Sequence, residues 1–118
     1  MKTIGIIGSR RRNKAADYLL LRAKLREIIE KGDRLVSGGC STGADAFAEN
    51  IAHKDGLTII IHHANWKKHP KYGGFLRNRK IAEDCDVLIA LPAADRKGGT
   101  EDTIVKVKRL RKPVIIVE

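Results

Sequence analysis

The stretch VSGGCSTGAD, residues 36–45, decides how this chain folds. It closes a short apolar run typical of a strand and leads into a helical pattern over residues 44–52. Glycines permit a tight turn, and the first N–H groups of a helix are unpaired donors at the positive end of its dipole. The stretch therefore predicts a strand–turn–helix unit that either binds phosphate or is a purely structural turn. Its spacing fits neither Gly-x-Gly-x-x-Gly nor a P-loop.

Apolar runs and helical patterns alternate on both sides of this unit. Strands are predicted at residues 2–8, 34–37, 57–62, 86–91 and 113–117. Helices are predicted at residues 14–31, 44–54, 75–84 and 99–112, with Asn13 as the N-cap and Gly32 as the C-cap glycine of the first. Five strands alternating with four helices predict an α/β, Rossmann-like three-layer sandwich. The expected parallel sheet has the strand order 3-2-1-4-5.

Length and composition bound the class of protein. The 118 residues suit a single domain over residues 1–118 with one buried core. No apolar run approaches the roughly 20 residues that a membrane span needs, and the first residues enter a strand without a signal-peptide layout. Two cysteines, Cys40 and Cys85, make no disulfide framework. We therefore expect a cytoplasmic protein without a membrane partner.

Charge is the compositional outlier. The chain carries 24 Lys+Arg against 14 Asp+Glu, a net charge of +10. Such a surface attracts polyanions, which include both nucleic acid and phosphorylated small molecules. A merely solubilising surface has the same composition. Nucleic acid is thus one candidate partner, and composition does not choose among these readings.

Four loops are expected to meet at one edge of the sheet. In open parallel sheets, ligands bind outside the carboxyl ends of the strands, where the strand order reverses. The loops that converge there span residues 9–12, 38–42, 63–74 and 92–100, and they hold most of the glycines and many of the cations. This convergence favours a phosphate site.

The first candidate site residues lie after the first strand and in the third helix. Residues 8–10 offer backbone N–H groups, a hydroxyl and a guanidinium, the side chain suited to bidentate phosphate contact. Arg11 and Arg12 fit a surface turn better. Arg77–Lys80 lies at the predicted start of the third helix, where cations oppose the dipole, and this indicates a nearby anion. Within it, Arg79 and Lys80 fit a solvent-exposed face equally well.

A second Gly-rich turn leads into the last predicted helix at residues 98–102. Thr100 is available there as a cap or a phosphate ligand. Glu101 and Asp102 suit the first turn of a helix electrostatically. If either faces the pocket, it would act as a base or hold a ribose hydroxyl.

The remaining reactive side chains give weaker signals. Cys40 lies beside helix N–H groups, but no His or Asp stands at a dyad spacing, so nucleophilic catalysis is not favoured. The three histidines near the third strand lack the spacing of a metal site, and we expect no metal. Trp66 and Tyr72, among lysines, either stack a base or pin a long loop to the sheet edge.

The order of these motifs resembles the SLOG superfamily, and within it the YAcAr branch of small domains of unknown function. The resemblance runs from Gly8 to Val117 and is carried by four motifs, SGG…GAD at 37–45, ANWKK at 64–68, GG…RN at 73–78, and Gly99-Thr100. Asn65 departs from the Asp usual before the Trp. Asp95–Gly98 replaces a tidier Gly-Gly-x-Gly-Thr turn.

The resemblance implies a Rossmann-like domain that binds a nucleotide-derived ligand and forms a homo-oligomer, in the simplest case a dimer. Two relatives mark alternatives. Lonely Guy phosphoribohydrolases cleave the N-glycosidic bond of a nucleoside monophosphate with an Arg and a Glu. Arg79 and Asp102 fall near those places, although the Glu-Glu pair of that family is replaced by Asp102-Thr103. DNA-processing protein A binds single-stranded DNA, which the net charge of +10 fits.

Residues and resemblance together predict a binder of a phosphorylated nucleoside, acting as sensor or carrier, with no certain cofactor. Its catalytic residues, if the alternative hydrolase holds, are Asp102, Glu101 and Arg79. The expected ligand-binding residues are Gly8, Ser9, Arg10, Ser37, Gly38, Gly39, Cys40, Gly43, Asp45, Trp66, Arg77, Asn78, Gly98, Gly99 and Thr100.

Overall fold

The computed structural model describes residues 1–118 and alternates five strands with four helices. The strands are β1 (Thr3–Gly8), β2 (Arg34–Ser37), β3 (Ile59–Ile61), β4 (Val87–Leu91) and β5 (Val114–Ile116). The helices are α1 (Ala15–Ile28), α2 (Ala44–Asp55), α3 (Gly73–Asp84) and α4 (Gly99–Arg109). All strand pairs are parallel, in the order β3-β2-β1-β4-β5. The predicted fold class and strand order are confirmed.

The sheet is buried on both faces because its central strands are apolar at successive positions. In β1, Ile4 and Ile6 contribute to one core, and Ile7 contributes to the other. The first core packs under α1 and α2, with Leu21 and Ile51 among its members. The second packs under α3 and α4. Helices α1 and α2 thus cover one face of the sheet and α3 and α4 cover the other, which gives three layers. The strand order reverses beside β1.

The ends of α1 differ from the sequence predictions. The helix ends at Ile28, since Ile29 turns to an extended conformation, so Gly32 is not its C-cap. Lys14, not Asn13, is the N-cap residue. The side chain of Asn13 instead accepts a hydrogen bond from the backbone N–H of Gly43 at 2.9 Å. Asn13, which resembles a local helix cap in the sequence, thus makes a long-range contact between the β1–α1 and β2–α2 loops.

The other element boundaries shift by a few residues, and one shift matters for function. α3 begins at Gly73 rather than Phe75, because the loop before it already winds in helical turns, with the N–H of Gly73 donating to the carbonyl of His69 at 2.8 Å. Arg77 therefore lies beyond the first turn of α3. The prediction that its charge opposes the helix dipole was wrong, because the influence of the dipole fades within one turn.

Candidate functional site

A cavity of about 620 Å³ opens at the carboxyl end of β1. This volume lies in the range of small-molecule sites, about 300–1,000 Å³. Its walls come from the β1–α1 loop, the β2–α2 loop, the loop before α3, α3 itself and the start of α4. Most predicted ligand-binding residues line it, namely Gly8, Ser9, Arg10, Cys40, Asp45, Trp66, Arg77, Asn78, Gly98, Gly99 and Thr100. The four others, Ser37, Gly38, Gly39 and Gly43, are not among the lining residues.

The β2–α2 loop is shaped by a buried carboxyl group. Asp45 is only 7% exposed. Its Oδ1 lies 2.9 Å from the hydroxyl of Ser37, and its Oδ2 accepts the backbone N–H of Cys40 at 3.1 Å. Asp45 is therefore more than a first-turn carboxylate, since it fixes the loop that forms one wall of the cavity.

The hydroxyl of Ser37 lies between two oxygen atoms. Ser37 Oγ lies 2.7 Å from the carbonyl oxygen of Ile6 and 2.9 Å from Oδ1 of Asp45, yet a hydroxyl has one hydrogen to donate. Both contacts are satisfied if Ser37 donates to Ile6 and a protonated Asp45 donates to Ser37. Burial, the largest influence, raises the pKa of Asp45 and favours that neutral form.

Replacing Asp45 tests this reading. We expect Asp45→Asn to change the free energy of unfolding by less than about 1 kcal/mol, because the amide still donates to Ser37 and accepts from Cys40. Asp45→Ala leaves the buried N–H of Cys40 without its partner and costs about 1–3 kcal/mol. Urea denaturation at pH 7 measures both.

The pH dependence follows from the raised pKa of Asp45. The folded chain holds this proton more tightly than the unfolded chain, whose aspartates titrate at about 3.9. The stability that the proton contributes is complete below that pH and is lost as the pH rises through the folded pKa. This loss should be missing in Asp45→Asn; identical pH profiles of the two proteins would rule out the neutral carboxyl.

Arg77 reaches from α3 to the β2–α2 loop. Its Nη1 donates to the carbonyl of Gly38 at 2.9 Å, and its Nε donates to Oδ1 of Asn78 at 2.8 Å. A Cβ at residue 38 would lie only 2.7 Å from Nη1, so the glycine provides the space for the guanidinium. No protein acceptor is bonded to Nη2, and Arg77 lines the cavity. The positive charge therefore remains available to an anion.

Asn78 ties α3 to the start of α4. It is 4% exposed, and its Nδ2 donates to the carbonyl of Gly99 at 3.2 Å and to Oδ2 of Asp102 at 3.1 Å. Both amide hydrogens are thus used within the protein. Asn78 was predicted as a ligand-binding residue, but these contacts leave no amide hydrogen for a ligand, and Asn78 instead positions the turn at Gly99.

Two of the helices that start at this edge of the sheet, α2 and α4, have no side-chain caps. α2 and α4 follow Gly43 and Gly98, and neither N-cap makes a side-chain hydrogen bond. Thr100 is therefore not a cap; it lines the cavity in the first turn of α4, next to Gly99. At α1, by contrast, the carboxylate of Asp17 accepts the N–H of the N-cap residue. The uncapped N–H groups of α4 are free to meet an anion.

Two aromatic side chains, Trp66 and Phe75, also line the cavity. The ring of Trp66 lies over the start of α3, where a Cβ at Gly74 would come within 3.0 Å of it. Half of the Trp66 side chain stays exposed, and Phe75, which the sequence reasoning missed, lines the cavity beside it. Tyr72 is exposed and lies outside the lining. Only one of the two predicted aromatics is placed to stack on a ligand.

Cations outnumber carboxylates in the lining. The lysines and arginines there are Arg10, Arg11, Lys71, Arg77 and Lys97, and the one carboxyl group is that of Asp45. Arg10 also donates from Nε to Sγ of Cys40 at 3.2 Å. Arg11, predicted to lie in a surface turn, is exposed in such a turn; it also lines the cavity and pairs with Asp95 at 2.8 Å.

Arg12 differs from its neighbours because its role is structural. It pairs with Asp17 at 3.0 Å and donates to the carbonyl of Val117, which ties the β1–α1 loop to the C-terminal segment. Nothing in the sequence distinguishes Arg12 from Arg11, since the contact depends on where the last strand ends.

The three catalytic candidates all lie outside the cavity lining and have partners of their own. Glu101 pairs with Arg96 at 2.9 Å. Asp102 binds Nζ of Lys106 at 2.5 Å and the amide of Asn78. Arg79 is exposed and pairs with Glu83 at 2.9 Å. The structure does not bring these groups together around a substrate.

Two further features bear on the expected partners. No group of three or more His, Cys, Asp or Glu side chains is arranged to hold a metal ion. None of the four helices combines the length and apolar character needed to cross a membrane. Both cysteines are free thiols, with Cys85 buried.

The comparisons with known proteins agree with the resemblance seen in the motifs. The sequence model of the YAcAr family, described as the YspA, cpYpsA-related SLOG family, matches residues 6–69. The match contains the β1–α1 loop, the β2–α2 loop and Trp66, which contribute residues to the cavity lining. No curated protein matches the chain. Since the match covers more than half of the sequence, the chain belongs to the YAcAr family of the SLOG superfamily.

Proposed function

We propose that this protein binds a phosphorylated nucleoside or a nucleotide-derived ligand in the cavity at the carboxyl end of β1, as a sensor or carrier. The observation that carries the proposal is one cavity with an uncapped helix start and unpaired positive charge on one side and an exposed aromatic wall on the other. Membership of a SLOG family supports a nucleotide-related ligand.

The phosphate end of the site lies at the start of α4. The backbone N–H groups of Gly99 and Thr100 offer hydrogen bonds without a charge of their own, and the helix dipole favours an anion there. Arg10 adds charge from the β1–α1 loop, and Arg77 adds charge from α3. A phosphate group placed between them meets both kinds of donor, whose charge-assisted bonds are the stronger class.

The base end lies at Trp66 and Phe75. Both rings are half exposed in the free protein, and both line the cavity. Stacking of a nucleobase on an aromatic ring contributes about 1–3 kcal/mol and tolerates any base. We therefore expect the cavity to require both a flat ring and a phosphate group in its ligand and to discriminate only weakly among bases.

Binding is favoured over hydrolysis by the contacts of the acidic residues. Glycosidic cleavage needs a carboxylate within reach of the sugar. Glu101 and Asp102 lie outside the cavity lining. Glu101 is paired with Arg96, and Asp102 is bound by Lys106 and Asn78. Asp45, the one carboxyl group in the lining, is committed to the β2–α2 loop. The predicted dimer and the predicted nucleic-acid partner stay predictions.

Thermal unfolding with a ligand panel tests the proposal. The panel holds nucleoside mono-, di- and triphosphates, ADP-ribose, NAD, unphosphorylated nucleosides and a short single-stranded oligonucleotide. A ligand at about 100 times its dissociation constant adds about 2.7 kcal/mol to the free energy of unfolding. We expect stabilisation by a phosphorylated nucleoside and none by the matching unphosphorylated one. Stabilisation by the oligonucleotide alone would contradict a nucleotide pocket.

A further inference from the structure

A second cavity of about 390 Å³ lies on the other side of α3 from the first. It is lined by residues of the loop before α3 and by the outer face of that helix. The two cavities share one residue, Arg77. The loop before α3 contributes to both, because Trp66 lines the first cavity and Asn65 lines the second. Nothing in the proposed function uses this second space.

The second cavity is strongly basic. Its lysines and arginines are Lys68, Arg77, Arg79 and Lys80, and the lining also contains His63, His69 and Asn65. The one carboxylate, Glu83, is taken by Arg79 at 2.9 Å. Lys68 and Lys80 take part in no ion pair, and no carboxylate oxygen lies within 4.0 Å of either ammonium group.

The surrounding backbone holds this charge in a fixed concave shape. The N–H of Lys68 donates to Oδ1 of Asn65 at 3.0 Å, and this bond closes the turn that presents the lysine. The imidazole of His63 packs against Gly39, where a Cβ would come within 2.6 Å of the ring. The lining is thus formed by the loop before α3, which His63 joins to the β2–α2 loop, and by α3. Unpaired cations gathered in a concavity focus the field and attract anions.

We propose that this second cavity is an anion site that takes a phosphate group, held by Lys68, Lys80 and the free face of Arg77. The group belongs either to a small phosphorylated molecule or to the backbone of a single-stranded nucleic acid. No nucleotide in the first cavity is required to form this site. Because Arg77 lies in both linings, a phosphate in one cavity changes the charge available to the other.

The experiment titrates the full chain with inorganic pyrophosphate and follows two reporters. The imidazole NMR signals of His63 and His69 report the second cavity, and those of His53, on α2, serve as an internal reference. Fluorescence of Trp66, the single tryptophan, reports the first cavity. We expect saturable shifts at His63 and His69 with His53 unmoved. No saturable shift there would overturn the proposal, whatever Trp66 shows.

Two double variants distinguish specific binding in the second cavity from nonspecific attraction by the net positive charge. In Lys68→Ala/Lys80→Ala the dissociation constant read at His63 and His69 should rise at least about tenfold, because two charge-assisted bonds are lost. Lys108→Ala/Arg109→Ala removes equal charge from exposed positions at the end of α4 and should stay within about twofold, because exposed distant charges are screened. Equal weakening in both would overturn the site.

The source of the phosphate is read from a second titration, with a short single-stranded oligonucleotide. Saturation of the same two histidine signals by the oligonucleotide, with an affinity that falls steeply between about 50 and 200 mM salt, assigns the site to a nucleic-acid backbone. A response to pyrophosphate alone assigns it to a small molecule. Either result supports a phosphate site.

Discussion

Replacing Arg77 by alanine is expected to weaken nucleotide binding by about 10- to 100-fold while the fold stays intact. A hydrogen bond to a charged group contributes about 1.5–3 kcal/mol, and each 1.4 kcal/mol is a factor of ten in affinity. The variant also frees the carbonyl of Gly38 and loosens the link to Asn78. Isothermal titration with the ligand found in the thermal panel measures the loss.

Arg79→Ala is the matched control for this variant. Arg79 lies on the same helix, has the same charge and pairs only with Glu83 outside the first cavity. Its loss should change nucleotide affinity by less than about threefold, as expected for an exposed pair. If Arg77→Ala binds as tightly as Arg79→Ala, the guanidinium of Arg77 does not contact the ligand.

Replacing Gly43 by alanine is expected to lower the free energy of unfolding by about 2–4 kcal/mol. Gly43 has φ 78° and ψ −155°, a region that residues with a Cβ rarely adopt, at a cost of about 1–3 kcal/mol. An added Cβ would also lie 2.8 Å from the carbonyl oxygen of Ser9, which is backbone and cannot swing aside. Urea denaturation measures the difference.

Gly56→Ala separates the two causes. Gly56 also has a positive φ, 66°, but a Cβ there would meet nothing within 4 Å. That variant should cost only about 1 kcal/mol, from the backbone conformation alone. Equal losses at the two positions would show that the close approach between the β1–α1 loop and the start of α2 does not contribute.

The fold was predictable because its signals are local. Apolar runs such as residues 4–7 are long enough for buried strands, and the helical patterns between them are strongly periodic. Alternation then restricts the topology to a parallel sheet. The boundaries were less predictable because they depend on tertiary contacts. Asn13 looks like the cap of α1, yet its side-chain oxygen accepts a hydrogen bond from the backbone N–H of Gly43, at the start of α2.

The site was predictable as a set of loops and less so as a set of side chains. The four converging loops follow from the topology, and residues such as Arg10 and Trp66 lie in them. The roles of Asn78 and Phe75 could not be read from the sequence. Asn78 acts through α4, which is distant in the chain, and Phe75 faces the cavity because of the direction in which α3 leaves its first turn. Lys71 and Lys97 lay within the predicted loops but were not distinguished from other surface lysines.

The most direct test of a nucleotide site at the carboxyl end of β1 is a fluorescence titration of Trp66. It is the single tryptophan and lines the cavity with half of its side chain exposed. We predict a saturable change in its emission with a phosphorylated nucleoside, and a weaker response with ribose 5-phosphate, which lacks the base to stack on the ring. Thermal stabilisation by the nucleotide with no change at Trp66 would place the ligand elsewhere and contradict the proposed function.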